Sequence, residues 1–238
     1  TSVGFSFGPL FGAYTHENQD HYIEGMGTNY AVTCTGDFDG DGVEGLLAST
    51  STASTTVYND VLSAVNVGYA DTTLTSSAAA EAVACGDVNG DGYADGLVAL
   101  TGNSLFLVSD LTQSGSLDAA LSGKYIPSYS FTRPTSIKTL DIDGNGDAEV
   151  AVGRHYFQAV DILDAWTGTL SSTDLGYRGV GATISGSEGY YLGTPLTNAG
   201  DVDGDGGDDL LIGASQAVDY DFTVIAEAWL WLGADLWR

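Results

Sequence analysis

One short pattern, Asp-x-Asp/Asn-Gly-Asp/Asn-Gly, recurs four times in the 238 residues, opening at Asp37, Asp87, Asp141 and Asp201. Successive openings lie 50, 54 and 60 residues apart. A repeat of that length restricts the fold strongly. One supersecondary unit per period cannot bury its apolar face alone and has to stack on its neighbours.

The flanking residues say what kind of unit it is. Runs at Tyr30–Thr35, Glu81–Cys85, Ser136–Leu140 and Thr194–Ala199 precede the four motifs. Runs at Gly45–Ser49, Gly96–Leu100, Val150–Gly153 and Leu210–Ala214 follow them, and third runs stand at Thr55–Tyr58, Ser104–Val108, Tyr156–Val160 and Thr223–Ala226. They are short and rich in Val, Thr, Ile and Tyr, and turn residues bound them, which is the signature of strands. Each repeat reads strand, acidic loop, strand, turn, strand and a weaker fourth strand. The expected fold is all-β: a β-propeller of four-stranded blades, four in this chain, forming one domain over residues 1–238. Ser- and Thr-rich stretches such as 49–56 read as turns, and none is long enough to link two domains.

The motif itself points to a hard cation. Ca²⁺ takes six to eight oxygen ligands at roughly 2.3–2.6 Å. Carboxylates or carboxamides at positions 1, 3 and 5 of a tight loop converge on one point, and glycines at 4 and 6 let the backbone turn there. A main-chain carbonyl at position 7 and an acid at position 9 complete a cage. The candidate ligands are Asp37, Asp39, Asp41 and the Val43 carbonyl in the first loop, and Asp87, Asn89, Asp91, the Tyr93 carbonyl and Asp95 in the second. In the third they are Asp141, Asp143, Asn145, Asp147 and Glu149, and in the fourth Asp201, Asp203, Asp205, the Gly207 carbonyl and Asp209. The first loop has Gly45 at position 9, with Glu44 one residue early, so three to four Ca²⁺ ions are expected.

Two other readings compete. An EF-hand needs a bidentate Glu at position 12, but Ala48, Val98, Val152 and Ile212 stand there. Plain acidic turns also favour Asp-Gly and Asn-Gly. Three or four carboxylates in one turn, however, repel each other unless a cation sits among them.

With these loops the chain resembles the FG-GAP repeat family, the calcium-binding blades of integrin α-subunit propellers and related bacterial and fungal proteins. The fourth repeat matches best: Gly189-Tyr-Tyr-Leu-Gly193, then Gly200–Asp209, then Leu211-Ile-Gly213-Ala214-Ser215, where the family prefers Gly-Ala-Pro. The other repeats keep the loop but carry Ala48-Ser-Thr, Ala99-Leu-Thr and Val152-Gly-Arg at that place. The resemblance implies an extracellular, calcium-stabilised binding or adhesion module. Its partner would be a protein or glycan at the cell surface, or copies of itself. Family propellers usually have seven blades, so a four-bladed ring would need the N-terminal run Phe5–Phe11 as its closing strand. The rivals are a fragment of a larger ring and an open array completed by another chain. A ring also sets Cys34 and Cys85 on opposite faces of neighbouring blades. They are expected either to bridge the first junction as a disulfide or to remain two buried thiols.

Composition narrows the partners. Against 32 acidic residues stand six basic ones, giving a net charge of −26. Phosphate-neutralising patches cannot be built from so few cations, so neither nucleic acid nor an anionic membrane surface is an expected partner. No apolar run reaches the 18 residues a membrane-spanning helix needs. No basic-then-apolar leader stands at Thr1, so any signal peptide is expected to have been removed.

No catalytic constellation is visible. His16-Glu17-Asn-Gln-Asp20-His21 places its second His one residue too late for a His-Glu-x-x-His helix, which leaves at most a loop site of His16, Asp20 and His21. No nucleophile elbow or phosphate loop occurs. The enzyme alternative is therefore a polysaccharide-active propeller, beside a lectin-like propeller and a self-assembling surface or filament subunit. The run Ile225–Trp237 is the most apolar. If extended, it places Trp229, Trp231 and Trp237 on one side, as a strand buried on both faces or as a partner-facing edge.

Overall fold

The computed structural model describes residues 3–5, 21–23, 32–50, 53–59, 70–101, 104–109, 111–112, 114–117, 124–125, 136–154, 159–163, 180–185, 192–218 and 224–236. The described chain is all-β apart from one short helical turn. A two-stranded sheet pairs β1 (Val3–Phe5) with β2 (His21–Ile23). The first larger sheet runs in sequence order through β3 (Val32–Gly36), β4 (Gly45–Thr50), β5 (Ser54–Tyr58) and β6 (Thr72–Thr75). The second comprises β7 (Ala80–Gly86), β8 (Asp95–Leu100), β9 (Ser104–Val108) and β11 (Lys124–Tyr125), while the intervening β10 (Gly115–Ser116) joins the first sheet parallel to β6. The third is β12 (Ser136–Leu140), β13 (Glu149–Arg154), β14 (Ala159–Leu163) and β15 (Val180–Ser185). The fourth has three strands, β16 (Leu192–Gly200), β17 (Asp209–Val218) and β18 (Val224–Trp231), followed by the turn α1 (Gly233–Leu236). None of the sheets closes on itself.

Each acidic loop joins the first two strands of its sheet as an antiparallel hairpin. The second strands β8 and β13 are apolar on both faces because each lies between two neighbouring sheets. Alternation then splits their side chains two ways. Leu47 of β4 faces Val98 and Leu100 of β8. Leu97 and Ala99 of β8 face Val150 and Val152 of β13. Ala151 of β13 faces Leu210 and Ile212 of β17. Three apolar cores thus link four sheets in a row. The loop-bearing strands stand side by side, β3 along β7, β7 along β12 and β12 along β16. Among the described residues β16 and β3 do not meet in this way.

The first junction is cross-linked. Cys34 on β3 and Cys85 on β7 form a disulfide with Cα atoms 5.7 Å apart. The two residues face each other because neighbouring sheets present opposite faces, so the free-thiol reading is overturned. At the second junction Thr139 Oγ1 donates to the Cys85 carbonyl (2.6 Å). At the third, Leu196 N–H donates to Ser136 Oγ (3.2 Å). The far end of the third sheet carries a buried bidentate ion pair between Arg154 and Asp161, its Nη2–Oδ1 and Nε–Oδ2 distances both 2.6 Å.

Of the expected closing strand Phe5–Phe11 only Phe5 is described: Val3–Phe5 pairs with β2 by an antiparallel register, and residues 6–20, with His16 and Asp20, lie outside the described residues. Three other expectations change. The described third strand of the third repeat, Ala159–Leu163, runs on past the expected end at Val160, because Ile162 with Val160 fills the core toward the fourth sheet; residues 156–158 lie outside the described residues. The extended run ends at Trp231, since Gly233–Leu236 turns helical; Trp237 lies outside the described residues. Trp229 packs partly buried on the third core, whereas Leu230 and Trp231 are exposed, so β18 is not buried on both faces.

Removing the cross-link with Cys34→Ala and Cys85→Ala together is expected to cost about 2–4 kcal/mol. Thermal unfolding of the double variant beside the parent measures this, and unchanged mass after denaturing alkylation without reductant reports the intact bond.

Candidate metal centres in the acidic loops

The four loops share one hydrogen-bond scheme. The opening aspartate folds over its own turn and accepts main-chain N–H bonds from two or three of positions 4, 5 and 6. Asp37 takes Gly40 and Gly42 at 2.7 and 2.9 Å, and Asp87 takes Asp91 and Gly92 at 3.1 and 2.7 Å. Asp141 takes Asn145 and Gly146, and Asp201 takes Gly204, Asp205 and Gly206. The position-3 side chain accepts from the N–H of position 5, as in Asp203 with Asp205 (3.1 Å). The position-5 side chain accepts from position 7, as in Asp91 with Tyr93 (2.9 Å). Such turns require left-handed backbone at Gly90 and Gly92, with φ of 72° and 88°, which a side chain would strain.

Three loops bring acids together. Ligand oxygens of Asp37, Asp39 and Asp41 lie within 4.8 Å of one another, as do those of Asp141, Asp143 and Glu149, and those of Asp201, Asp203 and Asp209. Each group can hold a metal ion. The donor set fits a hard divalent cation, being oxygen throughout with no His or Cys. Asp147 and Asp205 stand outside these triads. Asp205 turns to the Gly207 N–H, and the Asp147 carboxylate lies against Gly90 of the second loop. The second loop has Asn89 at position 3, and its amide Nδ2 donates to Asp95 Oδ1 (3.2 Å). It therefore offers a mixed carboxylate–carboxamide set. Of the expected position-7 contributors, Val43 lies half-buried, Tyr93 is exposed and Gly207 is buried against the Ile142 carbonyl.

The position-9 acids are the buried members. Asp95, Glu149 and Asp209 are 1 %, 0 % and 0 % exposed. One oxygen of each accepts the position-2 N–H: Val88 to Asp95 (2.8 Å), Ile142 to Glu149 (2.8 Å) and Val202 to Asp209 (2.8 Å). Asp209 also accepts the Gly233 N–H (2.9 Å), so α1 caps the fourth loop. Burial pushes the Asp95 carboxyl up to about 7; the Val88 N–H bond lowers it, while the charges of Asp91 and Asp87 push it up further. Desolvation also raises Asp203, followed by the negative charges of Asp205, Asp209 and Asp201. These are environments in which a bound cation lowers the cost of ionisation.

The first loop lacks its ninth-position acid for a steric reason. A Cβ on Gly45 would lie 2.7 Å from the Tyr58 carbonyl and 2.8 Å from the Phe38 ring. The large position-2 side chain occupies the place a carboxylate would need.

The loops also join the sheets, which the motif spacing did not reveal. The N–H of position 8 in one loop donates to the carbonyl of position 1 in the loop before it: Ala94 to Asp37 (2.8 Å), Ala148 to Asp87 (2.7 Å) and Asp208 to Asp141 (2.6 Å). Asp208 goes further: its Oδ2 accepts from Asp141 N–H (3.1 Å) and Asn198 Nδ2 (2.7 Å), tying a third-loop ligand to the fourth repeat. Position 8 is Ala in two loops and acidic in two, so nothing in the repeat pattern marks Asp208 as a bridge.

No protein-family model and no curated protein matches the sequence. Solved structures do resemble it. The V. cholerae biofilm matrix protein Bap1 is 16 % identical over 85 % of this chain and 26 % of its own, with a TM-score of 0.42. BBS1N in complex with ARL6DN is 11 % identical over 86 % of this chain and 57 % of its own, at 0.49. Chaetomium thermophilum Polycomb Repressive Complex 2 bound to GSK126 is 12 % identical over 87 % of this chain and 44 % of its own, at 0.52. That last likeness is one of fold alone. The chain spans between about a quarter and somewhat over half the length of these proteins.

Two outcomes test this geometry. Gly45→Asp is expected to destabilise by about 1–3 kcal/mol through overpacking, without adding a cation ligand; unfolding and calcium titration of the variant report both. In metal-free protein, Asp95 keeps its proton in the folded state up to about pH 7 but loses it near its ordinary value of 3.8 when unfolded. Its contribution to stability therefore falls as pH rises between those values, by on the order of 4 kcal/mol. Chelated protein melted across that range shows the slope, and Asp95→Asn flattens it.

Proposed function

We propose that the chain is a calcium-stabilised, propeller-type binding module of the FG-GAP kind that works outside the cell, with calcium in a structural role. The observation that carries the reading is the set of three acid triads, each in a hairpin loop at the edge of a sheet. The stacked hairpins support the propeller reading. Each larger sheet runs in sequence order with its loop-bearing strand at one edge, and those strands stand side by side along the row. Four such sheets correspond to four blades, one carrying three described strands.

The cations are placed to hold the array together. Position 1 is both a ligand and the carbonyl acceptor of the next loop, so a filled loop fixes the neighbouring sheet. Loops of this kind, with Kd values of about 10⁻⁴–10⁻³ M, suit millimolar calcium and would be largely vacant at cytosolic levels. The Cys34–Cys85 disulfide agrees with an oxidising, extracellular setting. The partner is a protein or glycan at the cell surface, held by surface chemistry and not by the cation loops. The acid groups that crowd together among the described residues do so in these loops.

Each site filled to about 100 Kd adds roughly 2.7 kcal/mol. Calcium is therefore expected to raise the melting temperature by many degrees over chelated protein, with three to four ions counted by titration calorimetry. A melt indifferent to excess chelator would sink the reading.

A further inference from the structure

The third and fourth loops are joined by a clasp that the other junctions lack the side chain to make. At the first two junctions position 8 is Ala94 or Ala148, whose N–H makes the main-chain bond to the loop before it and whose methyl group accepts nothing. At the third junction Asp208 holds both main-chain groups of Asp141. Its N–H donates to the Asp141 carbonyl (2.6 Å), and its Oδ2 accepts the Asp141 N–H (3.1 Å). The carboxylate is itself held in place. Asn198 Nδ2 donates to the same Oδ2 (2.7 Å) and to the Thr139 carbonyl (3.4 Å), while Asn198 Oδ1 accepts the Gly200 N–H (2.7 Å).

Packing at this junction is also backbone on backbone. A Cβ on Gly144 would lie 2.6 Å from the Gly206 carbonyl, and one on Gly207 would overlap the Ile142 carbonyl. At the corresponding place Gly40 meets the Tyr93 ring and Gly90 the Asp147 carboxylate, which are side chains that can swing aside. Gly233 of α1 touches both loops at once. A Cβ there would lie 2.7 Å from the carbonyls of both Asp208 and Ile142, and its N–H donates to Asp209 Oδ1 (2.9 Å).

We infer that Asp208 makes the third and fourth loops a cooperative pair, in which a cation bound in one raises the affinity of the other, more tightly coupled than the second and third. The inference rests on the reading of these loops as calcium sites. Asp208 belongs to neither acid triad and is a positioning residue, acting through the Asp141 main chain. Its neighbour Asp209 is a candidate ligand of the fourth loop, and Asp141 is one of the third. Fixing Asp209 on a cation fixes the Asp208 backbone, and through it the N–H and carbonyl of Asp141. The third loop then binds its own cation with less ordering still to be lost. Linkage makes the effect reciprocal, so a filled third loop strengthens the fourth by the same factor.

Calcium titration of the full chain followed by amide NMR reads the loops separately. Gly92, Gly146 and Gly206 stand at position 6 of the second, third and fourth loops, each donating its N–H to the opening aspartate. Asp203→Ala, which disables the fourth loop, is expected to raise the Gly146 calcium midpoint by about fivefold or more, and Asp143→Ala to raise the Gly206 midpoint by the same factor. Equal factors are what coupled occupancy requires, and local damage to a loop does not produce them. The Gly92 midpoint should respond less to Asp143→Ala than the Gly206 midpoint does. Asp208→Ala should abolish the response of Gly146 to Asp203→Ala. Asp208→Asn, whose carboxamide oxygen can still accept the Asp141 N–H, should keep it. Asn198→Ala, at an exposed site, should weaken the response and stands in if Asp208→Ala does not fold. Amides that ignore calcium in all three loops remove the calcium reading and the pair with it. Amides that respond to calcium, with a Gly146 midpoint indifferent to Asp203→Ala or a response that survives Asp208→Ala, leave the calcium reading standing and overturn the pair.

Discussion

The opening aspartate of each of the first three loops performs two jobs through different atoms, and the array depends on their being joined. Its carboxylate gathers the N–H groups of its own turn, and its main-chain carbonyl accepts the position-8 N–H of the next loop. The ligand geometry of one repeat and the docking of the following sheet are therefore set by the same residue. A loop that loosens releases a junction, and a sheet that shifts pulls on a ligand. Coupling of this kind needs no long-range pathway, because successive loops are in direct contact.

Much of this was legible in the residues. Period, strand–loop–strand order and the acidic positions lie in local chemistry, and the hairpins form where alternation and the Gly-rich turns place them. The triads at Asp141–Asp143–Glu149 and Asp201–Asp203–Asp209 follow from spacing alone. What was not legible depends on tertiary contact. Gly45 looked like a missing ligand, but its reason is the Phe38 ring and the Tyr58 carbonyl, brought together only when β4 and β5 pair. Asp208, which the repeat pattern does not mark, becomes a bridge only when the third and fourth loops stack.

The charge balance explains why the loops should need something from outside the chain. Three loop carboxylates, Asp95, Glu149 and Asp209, lie in the interior, as does Asp161 outside the loops. A buried carboxylate is ordinarily matched by Arg or Lys, since an unpaired one is costly. This chain has six basic residues, and the one seen inside, Arg154, is engaged by Asp161 on the third sheet, at the end of β13 away from the loop. Main-chain N–H bonds supply part of the compensation, two each at Asp95 and Asp209. They carry only partial charge, and the neighbouring Asp side chains add more negative charge to the same few ångströms. A bound cation supplies a full positive charge to such a cluster. A divalent ion is the simplest group that provides it while also satisfying the oxygens at positions 1 and 3.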